Sequence, residues 1–227
     1  LFASREPVAA LEDDQPETTT IVYFRSDDGE TWSSEEELIE DEAVRITLHF
    51  LQKHAAFDGK EYAIFQAFVR DPDLQQYSNQ LFVKISEDQG RTWSPSVQLS
   101  NFSEFSGDEN LSAGSFDNQA VFLYPVEDRI IISWERRRSG TTRPQVYYGE
   151  IGADGAFIGI PEQVSRSTGS RSARAPKAFV YDDRIFLIWF DNRAGSDHVI
   201  LAAKTGTIWN EYDLSEEVPG ISRFGSQ

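Results

Sequence analysis

The feature that most constrains this chain is a short turn sequence, SEDQGRTWS, at positions 86–94. An acidic side chain two places before a glycine can bond back to the turn backbone, and Gly90 can adopt the positive φ that a tight hairpin needs. A similar stretch, RSDDGETWS, stands at positions 25–33 and matches the first at Asp27, Gly29, Thr31 and Trp32. Two copies of one turn predict a repeat protein built from similar hairpins.

The stretch at positions 86–94 resembles the Asp-box, or bacterial neuraminidase repeat, with the pattern Ser-x-Asp-x-Gly-x-Thr-Trp. The matching residues are Ser86, Asp88, Gly90, Thr92 and Trp93. In the stretch at positions 25–33, Arg25 stands at the serine position. The resemblance implies an all-β fold, a β-propeller with blades of four antiparallel strands, in which the turn joins the outer two strands. It implies a fold and not a reaction.

Composition supports a soluble all-β domain, since aromatic residues make up 13% of the chain and no apolar run approaches the roughly 20 residues of a membrane helix. The chain has no cysteine and no methionine. We therefore expect no disulfide, no metal site and no cofactor, and a mature chain that is secreted, periplasmic or at the cell surface. The net charge of −17 argues against nucleic acid and anionic membranes as partners.

Repetition extends beyond the turns, because the stretch from Asp128 to Trp134 aligns without gaps with the stretch from Asp183 to Trp189. We predict an acidic extended leader at 1–19 and one propeller domain at 20–227. Its blade units are predicted at 20–42, 43–100, 116–165 and 175–215. This amounts to about three and a half blades. Because sialidase-like propellers are six-bladed, either the chain is a fragment, or another chain completes the ring, or the blades form an open stack.

Some strands and turns are less regular than the turns at 25–33 and 86–94. Residues 18–25 and 44–50 read as strands, and 34–42 reads as a short acidic edge strand, with a helix capped by Ser33 or Ser34 as the alternative. In the third turn Asp154 precedes Gly155, with Ile158 in the tryptophan position. In the fourth, Lys204 replaces the acid before Trp209.

The predicted blades place the Asp-box turns on one rim and the loops between middle strands on the other. The turn residues are then structural, with Trp32, Trp93 and Trp209 packed between blades. The opposite rim collects arginines, including Arg136, and the predicted ligand-binding residues are Arg70, Arg138, Arg143, Arg174 and Arg193. Guanidinium groups bind carboxylates in a bidentate fork, so this rim suits an anionic glycan or a protein partner. The alternative is that they pair with nearby acids such as Asp71 and Asp197.

The resemblance to sialidases implies three arginines, an acid/base aspartate and a tyrosine nucleophile. Candidates for the last two roles are Asp71 and Asp117 as the acid and Tyr77 and Tyr124 as the nucleophile, but the early Arg-Ile-Pro motif is absent. The sequence therefore favours a non-catalytic module that binds a glycan or protein partner. The alternatives are part of an exo-sialidase or related glycoside hydrolase, and a structural subunit that pairs through blade edges in a homo- or hetero-oligomer.

Overall fold

The computed structural model describes residues 2–5, 20–26, 28–38, 53–70, 77–101, 116–138, 143–166, 172–192 and 196–217. These residues form four antiparallel sheets and one helical turn, so the all-β prediction is confirmed. The described part of the chain contains no helix with the length and apolarity needed to span a lipid bilayer.

The first sheet has three strands, in the order β1-β2-β3, which are Phe2–Arg5, Thr20–Tyr23 and Glu36–Glu37. The prediction that all of 1–19 is a leader is wrong for β1, because an antiparallel register pairs Phe2 with Tyr23 and builds these residues into the sheet. The rest of the predicted leader lies outside the described residues. Within the stretch 34–42, Glu36–Glu37 form the edge strand β3 and not a helix, and residues 39–42 lie outside the described residues.

Each of the other three sheets has the four antiparallel strands expected of a blade. The second contains β4 (Lys53–Phe57), β5 (Lys60–Arg70), β6 (Tyr77–Ser86) and β7 (Val97–Gln98). The third contains β8 (Phe116–Pro125), β9 (Ile130–Arg138), β10 (Gln145–Ile151) and β11 (Glu162–Gln163). The fourth contains β12 (Ala173–Tyr181), β13 (Arg184–Asp191), β14 (His198–Thr205) and β15 (Ile208–Asp213), followed by helix α1 (Leu214–Glu217).

Consecutive strands are neighbours in every sheet, which is the up-and-down order of a propeller blade. We call the sheets blades 1 to 4 in chain order. The predicted strand at 44–50 lies outside the described residues.

The core is formed between blades, because alternate side chains of one strand point to opposite faces of its sheet. On β9, Ile132 and Trp134 join the apolar cluster shared with blade 2, whereas Ile131 joins the cluster shared with blade 4. A third cluster joins blades 1 and 2 and includes Tyr23 and Phe65. The described blades are thus held together mainly by apolar faces.

The innermost strands of blades 3 and 4 share an irregularity. The pairing of β8 shifts after Gln119 and that of β12 after Arg174, and the next residues, Ala120 and Ala175, both have a φ of 51°. A bulge re-aims the side chains on either side of it, and positive φ at a residue other than glycine is strained. Both irregularities lie near the ends of these strands that receive the chain from the preceding blade.

Candidate functional site

The two edges of the blades differ in what they carry. On one, the loops between second and third strands meet the links that enter the next blade: Ala173 N–H donates to Pro144 O at 2.9 Å, and Ser172 N–H donates to Asn192 Oδ1 at 2.7 Å. We call this edge the loop rim. The other, the turn rim, carries the hairpins between third and fourth strands. We therefore consider the turn rim for a structural role and the loop rim for a ligand-binding role.

The turn at 86–94 is held by its own side chains. Asp88 Oδ1 accepts the Thr92 N–H at 2.8 Å, and Asp88 Oδ2 accepts the Thr92 hydroxyl at 2.7 Å. Ser86 Oγ accepts the Gly90 N–H at 2.7 Å, and Gly90 has a φ of 79°. The side chains of Ser86 and Asp88 are thus engaged inside the turn, which gives them a structural task.

The first turn uses different residues from those expected. Asp28 Oδ1 accepts the N–H groups of Glu30 and Thr31 at 2.8 and 2.7 Å. Ser26 Oγ accepts the Gly29 N–H at 2.7 Å. Ser26 therefore takes the serine position that the sequence alignment assigned to Arg25, in a turn that is one residue shorter. The Arg25 guanidinium instead binds Glu36 at 2.7 Å. Asp27 lies outside the described residues.

Acid should weaken the turn at Asp88. Hydrogen bonds, first among them the one from the Thr92 hydroxyl, lower the pKa of Asp88 to about 2, against roughly 4 in an unfolded chain. A carboxyl group whose pKa is lowered by folding stabilises the folded state at any pH above its unfolded pKa. This stabilisation is lost as the pH falls from the unfolded pKa to the folded pKa. We therefore expect the stability gap between wild type and Asp88→Ala to be full at neutral pH and to narrow from about pH 4 to about pH 2.

Urea denaturation at a series of pH values measures this gap, with the exposed Glu127→Gln as a control. A gap that stays constant down to pH 2 would contradict the ionised role of Asp88.

The aromatic residues of the turns pack on the preceding blade where the described chain supplies one. Trp209 donates its indole N–H to Glu162 Oε2 at 2.8 Å and lies edge-on to Tyr148, while Trp93 lies edge-on to Tyr23. Trp32 does not pack this way: 48% of its surface is exposed. The expectation that it is buried between blades is wrong, because no blade precedes blade 1 among the described residues.

The third turn is also shifted by one position. Phe157, and not Ile158, occupies the apolar position, since its ring stacks on Trp134 with the centroids 5.8 Å apart. Ile158 is exposed.

On the loop rim, two of the predicted ligand-binding arginines lie at the junction of blades 3 and 4. Arg174 Nη2 is 2.9 Å from Asp197 Oδ1 and 3.0 Å from Oδ2, as the pairing alternative proposed. Arg143 is exposed and adjoins Pro144, whose carbonyl binds the backbone of Ala173. The strands that end in Arg70 and Arg138 reach the same rim. Arg193 and Asp71 lie outside the described residues.

Arg136 is not a rim residue but part of the interior between blades 2 and 3. It is fully buried, and its Nη1 and the Trp134 indole N–H both donate to Asn118 Oδ1, at 3.1 and 3.0 Å. Its Nη2 donates to the Asn101 carbonyl at 3.3 Å. Its spacing of two residues from Trp134 is the sequence signal that places both side chains on one face of β9.

Glu135 is a buried carboxylate for which the sequence analysis predicted no site role. Its Oε1 accepts the N–H of Ala175 at 2.6 Å, and its Oε2 accepts the side-chain amide of Gln119 at 2.9 Å. It thereby ties the strained inner strand of blade 4 to the inner strand of blade 3. Its bond to Ala175 fixes the residue that follows the exposed Arg174 in the chain.

The candidate catalytic residues of the described chain are divided between the two rims. Tyr124 pairs with Ile131 near the turn rim and packs against the cluster between blades 3 and 4, so it cannot act beside the loop-rim arginines. Asp117 and Tyr77 belong to strand ends at the loop rim, near β9 and β5 respectively.

One group of residues has the donor atoms for a metal ion. Ligand atoms of His198, Asp213 and Glu216 lie within 4.8 Å of one another at the end of blade 4. His198 is buried, and its Nδ1 and Nε2 lie 2.7 Å from Asp213 Oδ2 and 3.2 Å from Ser196 Oγ. These bonds engage both imidazole nitrogens within the protein. Helix α1 is held against β14 by Ser215 Oγ, which accepts the Val199 N–H at 2.8 Å.

The meander sheets and their face-to-face packing define a β-propeller-type domain. No protein-family model matches the sequence, and a search of curated proteins finds no match. Similarity is therefore found at the level of structure.

Two solved structures illustrate that similarity. An ulvan lyase of polysaccharide lyase family PL25 superposes with a TM-score of 0.60 at 14% identity, over 92% of this chain and 51% of its own. The GH93 α-L-arabinofuranosidase of Fusarium graminearum, solved with arabinobiose, gives a TM-score of 0.55 at 15% identity, over 86% of this chain and 58% of its own. The chain thus spans little more than half of either protein, and these identities establish the fold alone.

Proposed function

We propose that this domain is a non-catalytic module, secreted, periplasmic or at the cell surface, that binds a glycan through the loop rim at the junction of blades 3 and 4. The observation that carries the proposal is the exposed Arg174–Asp197 pair, which follows the backbone contact between Ala173 and Pro144 and precedes the bulge at Ala175 that Glu135 holds. A guanidinium group binds a sugar carboxylate in a fork, and a carboxylate accepts hydrogen bonds from sugar hydroxyls. The glycan-acting names of the two similar structures support this choice of ligand class.

The geometry of Glu135 favours binding over hydrolysis. Glycoside hydrolysis generally needs two carboxyl groups about 5 to 10 Å apart, one of them free to exchange a proton with the substrate. Both oxygens of Glu135 accept hydrogen bonds from the protein, which suits a residue that orients the rim.

A second candidate function is a glycan-cleaving enzyme. The strained Ala120 and Ala175 favour it, because such strain collects at active sites. Asp117 and Tyr77 would then act at the loop rim. Release of product from a uronic-acid-containing or arabinan oligosaccharide, lost in Asp117→Asn, would establish this function in place of simple binding.

Isothermal titration against uronic-acid-containing and neutral arabino-oligosaccharides tests the binding proposal. Loss of a charged hydrogen bond costs about 1.5 to 3 kcal/mol, so Arg174→Ala is expected to weaken binding of the acidic sugar by about 10- to 100-fold. Arg174→Lys should restore little, because lysine lacks the planar fork. Arg143→Ala should act in the same direction.

The matched control is Arg91→Ala, which removes an exposed arginine from the turn rim. Equal losses in the Arg91 and Arg174 variants, or no binding of either sugar class, would contradict the proposal.

A further inference from the structure

Three side chains of blade 4 are joined by hydrogen bonds on the loop rim. His198 is the first residue of β14, Ser196 belongs to the loop before it, and Asp213 is the last residue of β15. The imidazole Nε2 is 3.2 Å from Ser196 Oγ, and its Nδ1 is 2.7 Å from Asp213 Oδ2. The imidazole is buried, whereas Ser196 is partly exposed. The serine hydroxyl is therefore the group that a molecule from solution can reach.

The direction of these hydrogen bonds follows from the groups that make them. An ionised carboxylate can only accept, so the bond to Asp213 requires a proton on Nδ1 of His198. In the neutral imidazole the lone pair is then on Nε2, where it accepts the hydroxyl proton of Ser196. Asp213 is itself fixed, because its Oδ1 accepts the Ser215 N–H at 3.1 Å. A nucleophile, a base and a carboxylate that orients the base are the groups that activate a serine.

In blades 2 and 3, neutral side chains occupy the same positions. The strand registers place one glutamine at the position of His198 and a second at the position of Asp213. These residues are Gln80 and Gln145 on the third strands and Gln98 and Gln163 on the fourth strands. In blade 2, Gln80 Nε2 donates to Ser78 Oγ at 2.8 Å, where blade 4 has the contact of His198 with Ser196. Holding these strands together therefore does not require an imidazole or a carboxylate, and blade 4 has both.

We propose that Ser196, His198 and Asp213 form a triad that cleaves a carboxylic ester. Ser196 Oγ bonds to the ester carbonyl carbon while its proton passes to His198 Nε2, and the bond to the alcohol breaks as the imidazolium returns that proton to the leaving oxygen. Water then loses a proton to Nε2 and attacks the acyl-serine. The carboxylic acid leaves, and Oγ regains its proton from the imidazolium. Asp213 is a positioning residue, because it acts through His198.

The triad adjoins the pair proposed to bind a glycan. Asp197 stands between Ser196 and His198 in the sequence, and its carboxylate binds Arg174 at 2.9 and 3.0 Å. An acyl group carried by a sugar is therefore the substrate that suits this position. Such a reaction leaves the glycosidic bonds of the bound glycan intact. The choice of an acylated sugar rests on the proposed function, whereas the reaction with a simple ester does not.

Covalent labelling with a fluorophosphonate tests whether Ser196 is activated. Intact-mass and peptide mass spectrometry are expected to show one adduct, on Ser196. His198→Gln installs the residue that blades 2 and 3 carry at this position, so we expect the circular dichroism to be unchanged and labelling to slow on the order of 10²- to 10⁴-fold without the base. Ser78→Ala, at the matching position of blade 2, should label like the wild type. The absence of an adduct on Ser196, or equal labelling of His198→Gln, would overturn the proposal.

Hydrolysis of p-nitrophenyl acetate measures turnover, which should fall to the background rate in Ser196→Ala. Asp213→Asn keeps an oxygen for the Ser215 N–H, but its amide donates to Nδ1 and moves the imidazole proton to the wrong nitrogen. We therefore expect kcat to fall at least about 10-fold in Asp213→Asn, with KM little changed.

Equal rates in the wild type and Ser196→Ala would overturn the triad. Loss of turnover in EDTA would also overturn it, and would assign the reaction to a metal ion held by His198, Asp213 and Glu216, whose ligand atoms lie within 4.8 Å of one another. Because p-nitrophenyl acetate carries no sugar, failure of the domain to bind glycans would leave these results unchanged. Faster hydrolysis of an acetylated uronic-acid oligosaccharide, with a KM that rises in Arg174→Ala, would join the two proposals at one site.

Discussion

Replacing Trp134 with alanine is expected to lower the free energy of unfolding by about 3 to 5 kcal/mol, the usual cost of removing a large buried aromatic side chain. Trp134 is fully buried between blades 2 and 3. Its ring centroid is 5.8 Å from those of both Tyr147 and Phe157, and its indole N–H donates to Asn118 Oδ1 at 3.0 Å. The substitution leaves a cavity and a hydrogen-bond acceptor with one donor fewer.

Urea denaturation followed by far-ultraviolet circular dichroism measures the loss without relying on tryptophan emission. The matched control is Trp32→Ala. Because Trp32 is half-exposed, we expect its removal to change stability by no more than about 0.5 kcal/mol. Similar losses at the two positions would mean that blades 2 and 3 do not share the core described above.

The strands of the blades were predicted best where the sequence pattern involves residues that are close together in the chain. The gapless alignment of the stretches that end in Trp134 and Trp189 predicted β9 and β13, and both tryptophans are buried. Alternation along a strand and the chemistry of a tight turn depend on residues close together in the chain. Such signals do not require knowledge of the tertiary packing.

Positions that depend on exact register or distant pairing were not predictable in the same way. The first turn can be aligned on Gly29 with either Asp27 or Asp28 as its acid, and only the hydrogen-bond geometry selects Asp28. The pairing of β1 with β2 joins segments separated by the residues that were expected to form a leader. A neighbour that is remote in sequence decides whether such a segment becomes a strand.

In the candidate site, likewise, the sequence predicted which residue types are present but not their burial or their contacts. Counting arginines on the loop rim could not separate Arg136 from Arg174, although one is buried between blades and the other is exposed. The role of Glu135 depends on the bulge at Ala175, whose N–H it accepts, and that bulge has no local sequence signature. Site residues that act through a neighbouring blade are therefore visible only in the fold.

Replacing Asn118 with alanine is expected to cost about 3 to 5 kcal/mol, although the side chain is small. Its Oδ1 accepts hydrogen bonds from Trp134 and Arg136, and its Nδ2 donates to the Asn79 carbonyl at 3.0 Å. Alanine removes an acceptor from the buried Arg136 guanidinium, and a buried charge that loses a partner is costly. Urea denaturation measures the loss, and the exposed Asn210→Ala should change stability by no more than about 0.5 kcal/mol.

A double-mutant cycle separates the stranded charge from simple loss of packing. If the Arg136 charge causes most of the cost, Arg136→Leu should be less damaging in the Asn118→Ala background than in the wild type, with a coupling energy of about 1 to 3 kcal/mol. Asn118→Asp supplies a carboxylate to the guanidinium but gives up the amide donor to Asn79, so we expect it to lie between wild type and Asn118→Ala. Strictly additive losses would show that Asn118 and Arg136 stabilise the junction of blades 2 and 3 independently, and that the guanidinium finds other partners when the amide is removed.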